Sequence, residues 1–356
     1  MTTATRRLAA LVVAIAMIGA AIGIRSVLDD DAGTTRSTGG PLRLLCATPL
    51  ETACDELASR TDVRVTVAPE GESVATLSQV ADDDIRDLGY DGWLTFERDV
   101  QIVRDARERA ALRPVVGAPS AAIGRTPVVL GVWKDRAEVL AQQCPGVGWQ
   151  CLADVAGTAW TDLGGDTRWG SVKPGHADPG DYGEGLAVIG QAAATLVGRT
   201  DPSRDDYADD AFLERFGRIE RAVPSGLTAA SSPFARMLTA GPAAFDVVAT
   251  VEAEAGPLLA RASADRRDQV DLLYPAPVAT LDVVFAPVVG ADGADDLRTV
   301  VTGDDGRAAL AAAGYRVPGE TPARGVPATP ALPDTSNLPG AGSLVALLET
   351  RREITG

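Results

Sequence analysis

Between Leu42 and Val67 the chain fits a strand, a helix and a second strand into about 25 residues, and this unit constrains its fold more than any other segment. Leu42–Ala47 is a short apolar run. Thr48-Pro49 reads as a helix start, with Thr at the N-cap and Pro at the first position, where a missing N–H costs nothing. Leu50–Arg60 follows as a helix with Glu51 in its first turn, and Val63–Val67 alternates as a strand. Strands joined by a helix in this way run parallel with a right-handed crossover, so the expected class is α/β.

The alternation continues downstream. Asp84–Phe96 reads as a strand-to-loop element around Gly92-Trp93, and Pro127–Trp133 (PVVLGVW) as an apolar strand covered on both faces. An apolar helix, Leu186–Val197, follows the Gly-rich Gly175–Gly185. Then come a charged helix (Ala211–Ala222), a strand (Phe245–Val251), a long apolar stretch (Val278–Val289) and a helix end at Ala308–Gly314 with Gly as its stop. Pro318–Pro339 is Pro-rich and expected to run extended across a surface, before a last helix at Ser343–Arg352. At 356 residues the chain exceeds what one hydrophobic core usually supports, so two lobes are expected.

Outside this region the N-terminus carries a distinct signal. Arg6 and Arg7 precede 17 apolar residues, Leu8–Ile24, followed by Arg25 and the acidic trio Asp29–Asp31. The run sits at the lower edge of a membrane span and is slightly long for a signal-peptide core, so residues 1–28 fit a signal anchor or a cleaved signal peptide. Either exports the rest, anchored to the membrane or secreted, because the paired arginines stay in the cytoplasm. Residues 29–41 read as a flexible linker. Four cysteines agree with an oxidising address. Cys46 and Cys54 lie eight apart and Cys144 and Cys151 seven apart, so local pairing is expected, with free thiols the other reading.

Composition narrows the function. The net charge is -16, and Lys134 and Lys173 are the only lysines, so there is no basic stripe for nucleic acid. There is no G-x-S-x-G elbow, P-loop, dinucleotide fingerprint, H-E-x-x-H or C-x-x-C, and a single His supplies a metal site poorly. No enzyme, cofactor or metal centre is expected.

Four segments carry a family likeness by their order and spacing: IGRTPVVLGVW (Ile123–Trp133), WGSVKPGHADPGDYGEGLAVIGQAA (Trp169–Ala193), FDVVATVEAEAG (Phe245–Gly256) and LLYPAPVATLDVVFAPVV (Leu272–Val289). Together they resemble the type 2 extracellular solute-binding proteins, in particular the molybdate- and sulfate-binding-like branch often associated with von Willebrand factor A domain proteins. The resemblance implies two lobes, each a mostly parallel sheet flanked by helices, with residues 42–126 and 278–356 in lobe 1 and 127–277 in lobe 2. It also implies capture of a small solute in the cleft between them. A membrane permease would be the partner or, in the alternative reading, a von Willebrand factor A-type protein that uses the same fold for sensing or structure.

Ligands of open α/β sheets collect beyond the carboxyl ends of strands, where helix N-termini present free N–H groups. Ala47, Thr48 and Pro49 fit that description, and so do His176, Asp178, Asp181 and Tyr182 ahead of the Leu186–Val197 helix. Gly92 and Trp93 would add a third cleft loop, Thr126 lies at the crossing into the second lobe, and Glu252 matches a position from which the family points a polar residue at the cleft. Each has a plainer reading: Thr48 as a cap, Trp93 as core, Glu252 as a solvated helix start, His176 as an ordinary loop residue. Asp181, Tyr182 and Glu184 stand where related sequences carry small hydroxyl and glycine residues. Carboxylates there would repel an oxyanion, which makes molybdate, sulfate or phosphate doubtful and favours a neutral or cationic organic solute.

Overall fold

The structure is a computed structural model that describes residues 40–224, 232–318, 326 and 330–356. The apolar N-terminal run, nearly all of the polar linker and much of the Pro-rich stretch lie outside the described residues. In chain order the strands and longer helices are β1 (Leu42–Ala47), α1 (Glu51–Arg60), β2 (Val63–Ala68), α2 (Glu70–Gln79), β3 (Gly92–Phe96), α3 (Glu97–Arg109), β4 (Gly124–Trp133), α4 (Lys134–Gln143), β5 (Pro174–Gly175), α5 (Gly183–Val197), α6 (Asp210–Ala222), α7 (Pro233–Ala240), β6 (Val247–Val251), α8 (Glu252–Arg261), β7 (Val270–Leu273), β8 (Thr280–Pro287), α9 (Ala294–Thr302), α10 (Asp304–Ala312) and α11 (Ala341–Thr355).

The first βαβ unit forms as its pattern requires, with β1 parallel to β2 from Leu42↔Val63 to Ala47↔Ala68, and β3 joins the other edge of β1 in parallel. Beyond β3 the sheet is mixed rather than mostly parallel. Its order is β2-β1-β3-β8-β4-β6-β5, with β7 also on β4. β8 enters antiparallel to β3, and β4 runs antiparallel to β8, β6 and β7. Only β5, on β6, restores a parallel pair. Antiparallel neighbours need no helical crossover, and here they are the long strands through which the chain crosses the middle of the sheet.

β4 changes partners along its length: Gly124–Pro127 pair with β8, and Val128–Val132 pair with β6. Its apolar run is explained by burial on both faces. Val128, Leu130 and Val132 enter the same core as Leu44, Cys46 and Leu94. Val129 and Trp133 join Phe234, Met237 and Phe245 on the opposite side. The period of two does the same in β1, where Leu45 faces away from Leu44 and Cys46 into a third cluster with Val100 and Val284.

Both expected disulfides are present, Cys46–Cys54 and Cys144–Cys151. The described part of the Pro-rich stretch has no regular secondary structure and is held by its carbonyls and side chains. Arg125 Nη1 donates to Pro333 O (2.6 Å), Arg316 Nη1 to Pro330 O (2.9 Å), and Asn337 Nδ2 to Val278 O (2.7 Å). α11 then buries Leu344 and Leu347 in the main core and ties down α6 through Arg351.

Candidate functional site

Three strands end at one place. β1 runs out at Ala47 into the turn Thr48–Leu50, β2 at Ala68 into Pro69, and β6 at Val251 into α8. Between these ends lies a cleft of about 1060 Å³. Thr48, Pro49, Glu51 and Pro69 line one side, Ala177, Asp178, Tyr182 and Glu184 another, and Ser232, Pro233, Ala253, Glu254 and Leu258 a third, with Gly314 and Tyr315 from the end of α10 closing the floor. This is where an open α/β sheet collects ligands.

The cleft is acidic. Glu184 and Glu254 are half-buried in its wall, and Glu51 and Asp178 stand exposed at its mouth. Arg261, also exposed, is the only Lys or Arg among the described lining residues. Burial raises Glu184 well above the usual carboxylate range, and the charges of Glu254 and Glu70 push it further. Glu254 is raised by burial too, against the hydroxyls of Ser232 and Thr250, which stabilise its anion.

Behind the wall Glu70 is 2% exposed and accepts the Gly183 N–H at Oε1 (3.0 Å), while its Oε2 has no hydrogen-bond partner. Desolvation raises it, and so does its neighbour Asp99, itself pushed up to about 6 by burial despite a 2.6 Å bond from Thr95. Tyr315 is buried, donates to Pro49 O (3.1 Å), and is raised by burial and by the charges of Glu184, Glu70 and Glu254. Glu70 thus shares one electrostatic field with Tyr315, Glu184 and Glu254.

Of the residues expected here from sequence, Thr48, Pro49, Asp178 and Tyr182 line the cleft. Thr48 is not a cap: Ala47 holds the N-cap position, fully buried just behind the lining, and no side-chain hydroxyl closes the turn. Asp181 lies nearby but is exposed outside the lining, and its carbonyl accepts the Gly71 N–H at 3.1 Å.

The other five are elsewhere. Gly92 and Trp93 are not a cleft loop but the buried first residues of β3. A Cβ on Gly92 would stand 2.2 Å from the Phe285 ring, and Trp93 packs with Val284 and Ala286 on the far face of the sheet. Thr126 is buried and accepts the Ala253 N–H at Oγ1 (2.9 Å), capping the start of α8 from a neighbouring strand. His176 is neither cleft contact nor ordinary loop residue. It is buried, with Nδ1 2.8 Å from Ala177 O and Nε2 3.2 Å from Glu220 Oε1, and Arg351 holds the other Glu220 oxygen at 2.6 Å. Glu252 is fully buried and bound by Arg316 at both oxygens (2.7 and 2.5 Å) and by the Tyr274 hydroxyl (2.6 Å). Burial without a partner is too costly for a carboxylate, so the one that meets Arg316 goes inward.

Sequence reading missed Glu254, Glu70 and Tyr315, and took Glu184 only as a group that repels anions. Strand ends carried a usable signal: Glu70 and Glu254 stand in the first turns of the helices that follow β2 and β6.

No family model matches the sequence, and no curated protein matches it. The fold is that of the type 2 periplasmic solute-binding proteins. Iron-bound HitA from Pseudomonas aeruginosa aligns with TM-score 0.56 at 13% identity, over 88% of this chain and 98% of that one. A periplasmic thiamin-binding protein aligns with TM-score 0.54 at 12% identity, over 91% and 99%. The sulfate-binding protein SubI from Mycobacterium tuberculosis gives 0.51 at 11% identity, over 78% and 87%. At such identities the likeness is one of fold.

Proposed function

We propose that this chain is an extracytoplasmic solute-binding protein that captures a small organic molecule in the cleft where β1, β2 and β6 end. The observation that carries the reading is the cleft itself, about 1060 Å³ in volume and walled by Tyr and Pro faces beside a few polar groups, the usual make-up of a ligand pocket. The fold shared with proteins named for iron, thiamin and sulfate binding supports it. In this reading residues 42–126 and 278–356 form one lobe and 127–277 the other, and β4 and β8 are the hinge strands. Thr48, Pro49, Asp178 and Tyr182 contact the solute. A membrane permease receives it, and residues 1–28 supply export, as a signal anchor or as a cleaved signal peptide. No chemical step is assigned to the cleft.

The charge of the wall argues against molybdate, sulfate or phosphate, which Glu184 and Glu254 would repel. A thermal-shift screen against a broad solute panel tests the proposal. A ligand at about 100 times its Kd adds roughly 2.7 kcal/mol of stability by mass action, a readily measured rise in Tm. No stabilisation across the panel, together with capture of a von Willebrand factor A-type partner in a pull-down, would replace solute capture by a sensory or structural role.

A further inference from the structure

Three carboxylates act on one another at the back of the cleft. Glu184 and Glu254 stand in its wall, and Glu70 is buried behind them, close enough for its charge to act on Glu184 and Tyr315. Glu252, two residues from Glu254, is neutralised by Arg316, but among the described residues no arginine or lysine lines the cleft beside the acids except the exposed Arg261. Glu70 Oε2, on a residue 2% exposed, has no partner at all. Buried polar oxygens are normally satisfied, and a carboxylate left bare in a low-dielectric site is costly. A proton or a bound cation relieves such a cluster, and only the cation uses the cleft in front of it.

The walls distinguish between cations. A divalent metal wants six to eight oxygens in a tight shell, about 2.3–2.6 Å each for calcium, and no group of three metal-ligating side chains comes together among the described residues. Instead the acids are spread along one side of a large cleft whose remaining surface is aromatic and aliphatic: Tyr182, Tyr315, Pro49, Pro233 and Leu258. An ammonium group offers several N–H donors to separated oxygens, and aromatic faces attract cations.

We infer that the cleft takes an organic cation, an amine or quaternary ammonium with an apolar body, whose charged group lies between Glu184 and Glu254 and whose body rests on Tyr182 and Pro49. Glu70 is a positioning residue that supplies negative field from behind and holds Gly183 by its N–H. The inference rests on the solute-capture reading and narrows it to one charge class.

Isothermal titration of the full chain separates the two. The probes are spermidine and choline as cations, mannitol and glucose as neutral solutes, and sulfate and molybdate as oxyanions. Binding confined to the cations is expected, weakened at least tenfold in Glu184→Gln and in Glu254→Gln, and changed less than twofold in Glu138→Gln, an exposed site on α4 outside the cleft lining. Glutamine keeps the shape and removes like-charge repulsion, so these variants retain the fold, which circular dichroism checks. Binding of a neutral or anionic probe without the cations overturns the charge assignment and leaves solute capture standing. Cation binding that the Glu184 and Glu254 variants do not weaken also overturns it. Binding by none of the six overturns both.

Discussion

Glu252 and Glu254 stand two residues apart in the first turn of α8 and have opposite fates: Glu252 is fully buried in a two-pronged pair with Arg316, while Glu254 is half-buried in the cleft wall against Glu184. The first anchors α8 to the segment after α10, and the second faces the cleft. Substituting each in turn is therefore expected to separate structure from binding. Glu252→Gln leaves Arg316 without its anion and costs about 3 kcal/mol of unfolding free energy. Glu254→Gln costs little or stabilises. Urea unfolding of both variants at pH 7.5 checks the contrast, and equal losses would refute it.

The acidic cleft also sets a pH dependence. Glu184, Glu254, Glu70 and Asp99 are all raised, so the folded state keeps protons that the unfolded chain gives up from about pH 4 upward. Stability from these groups is fullest below the unfolded values and falls as pH rises through the folded ones, about 6 for Asp99. The free protein should melt higher at pH 5 than at pH 7.5, and the Glu184→Gln, Glu254→Gln double variant should narrow the gap. A variant whose gap matches the parent's would sink this account.

His176 offers a cleaner titration, because it is the only histidine in the chain. Burial alone would lower it, but the adjacent Glu220 carboxylate and the Ala177 carbonyl outweigh burial and raise it above 6.5, while Arg351 opposes them. The pair's contribution is complete below pH 6.5 and is lost as pH climbs through the folded value. The single imidazole signal in an NMR titration should show a midpoint above 6.5, dropping below it in Glu220→Gln. A parent midpoint under 6.5 would refute the assignment of an ion pair.

Gly71 holds the mouth of the cleft in shape. Its N–H reaches Asp181 O at 3.1 Å, and a Cβ there would stand 2.2 Å from Gly180 O. Because the obstacle is backbone, Gly71→Ala must push the 178–183 loop away from α2, at a cost of about 1–3 kcal/mol as for other overpacked sites. Hydrogen exchange of the amides in that loop should quicken in the variant. Unchanged exchange would mean that the loop does not depend on this contact.

Local periodicity made most of the fold legible. Continuous apolar runs announced β1 and β4, a strand, a helix and an alternating strand within about 25 residues announced the first βαβ unit, and cysteine spacing announced both disulfides. The site was only partly legible. Thr48, Pro49, Asp178 and Tyr182 were found because they follow strand ends, a position that sequence reveals.

What only the tertiary structure decided was direction and pairing. Whether Trp93 faced cleft or core depended on β8 lying beside β3, and whether Glu252 or Glu254 faced the cleft depended on where Arg316, 64 residues on, came to rest. A residue's type and spacing determine that it must be buried, capped or solvated. Which neighbour satisfies it is settled by contacts remote in sequence, because the desolvation of a charge is relieved by whatever partner the fold brings within reach. That is why the chain by itself specified an α/β fold with an acidic loop, while the cluster of Glu184, Glu254 and Glu70 emerged only once three strand ends met.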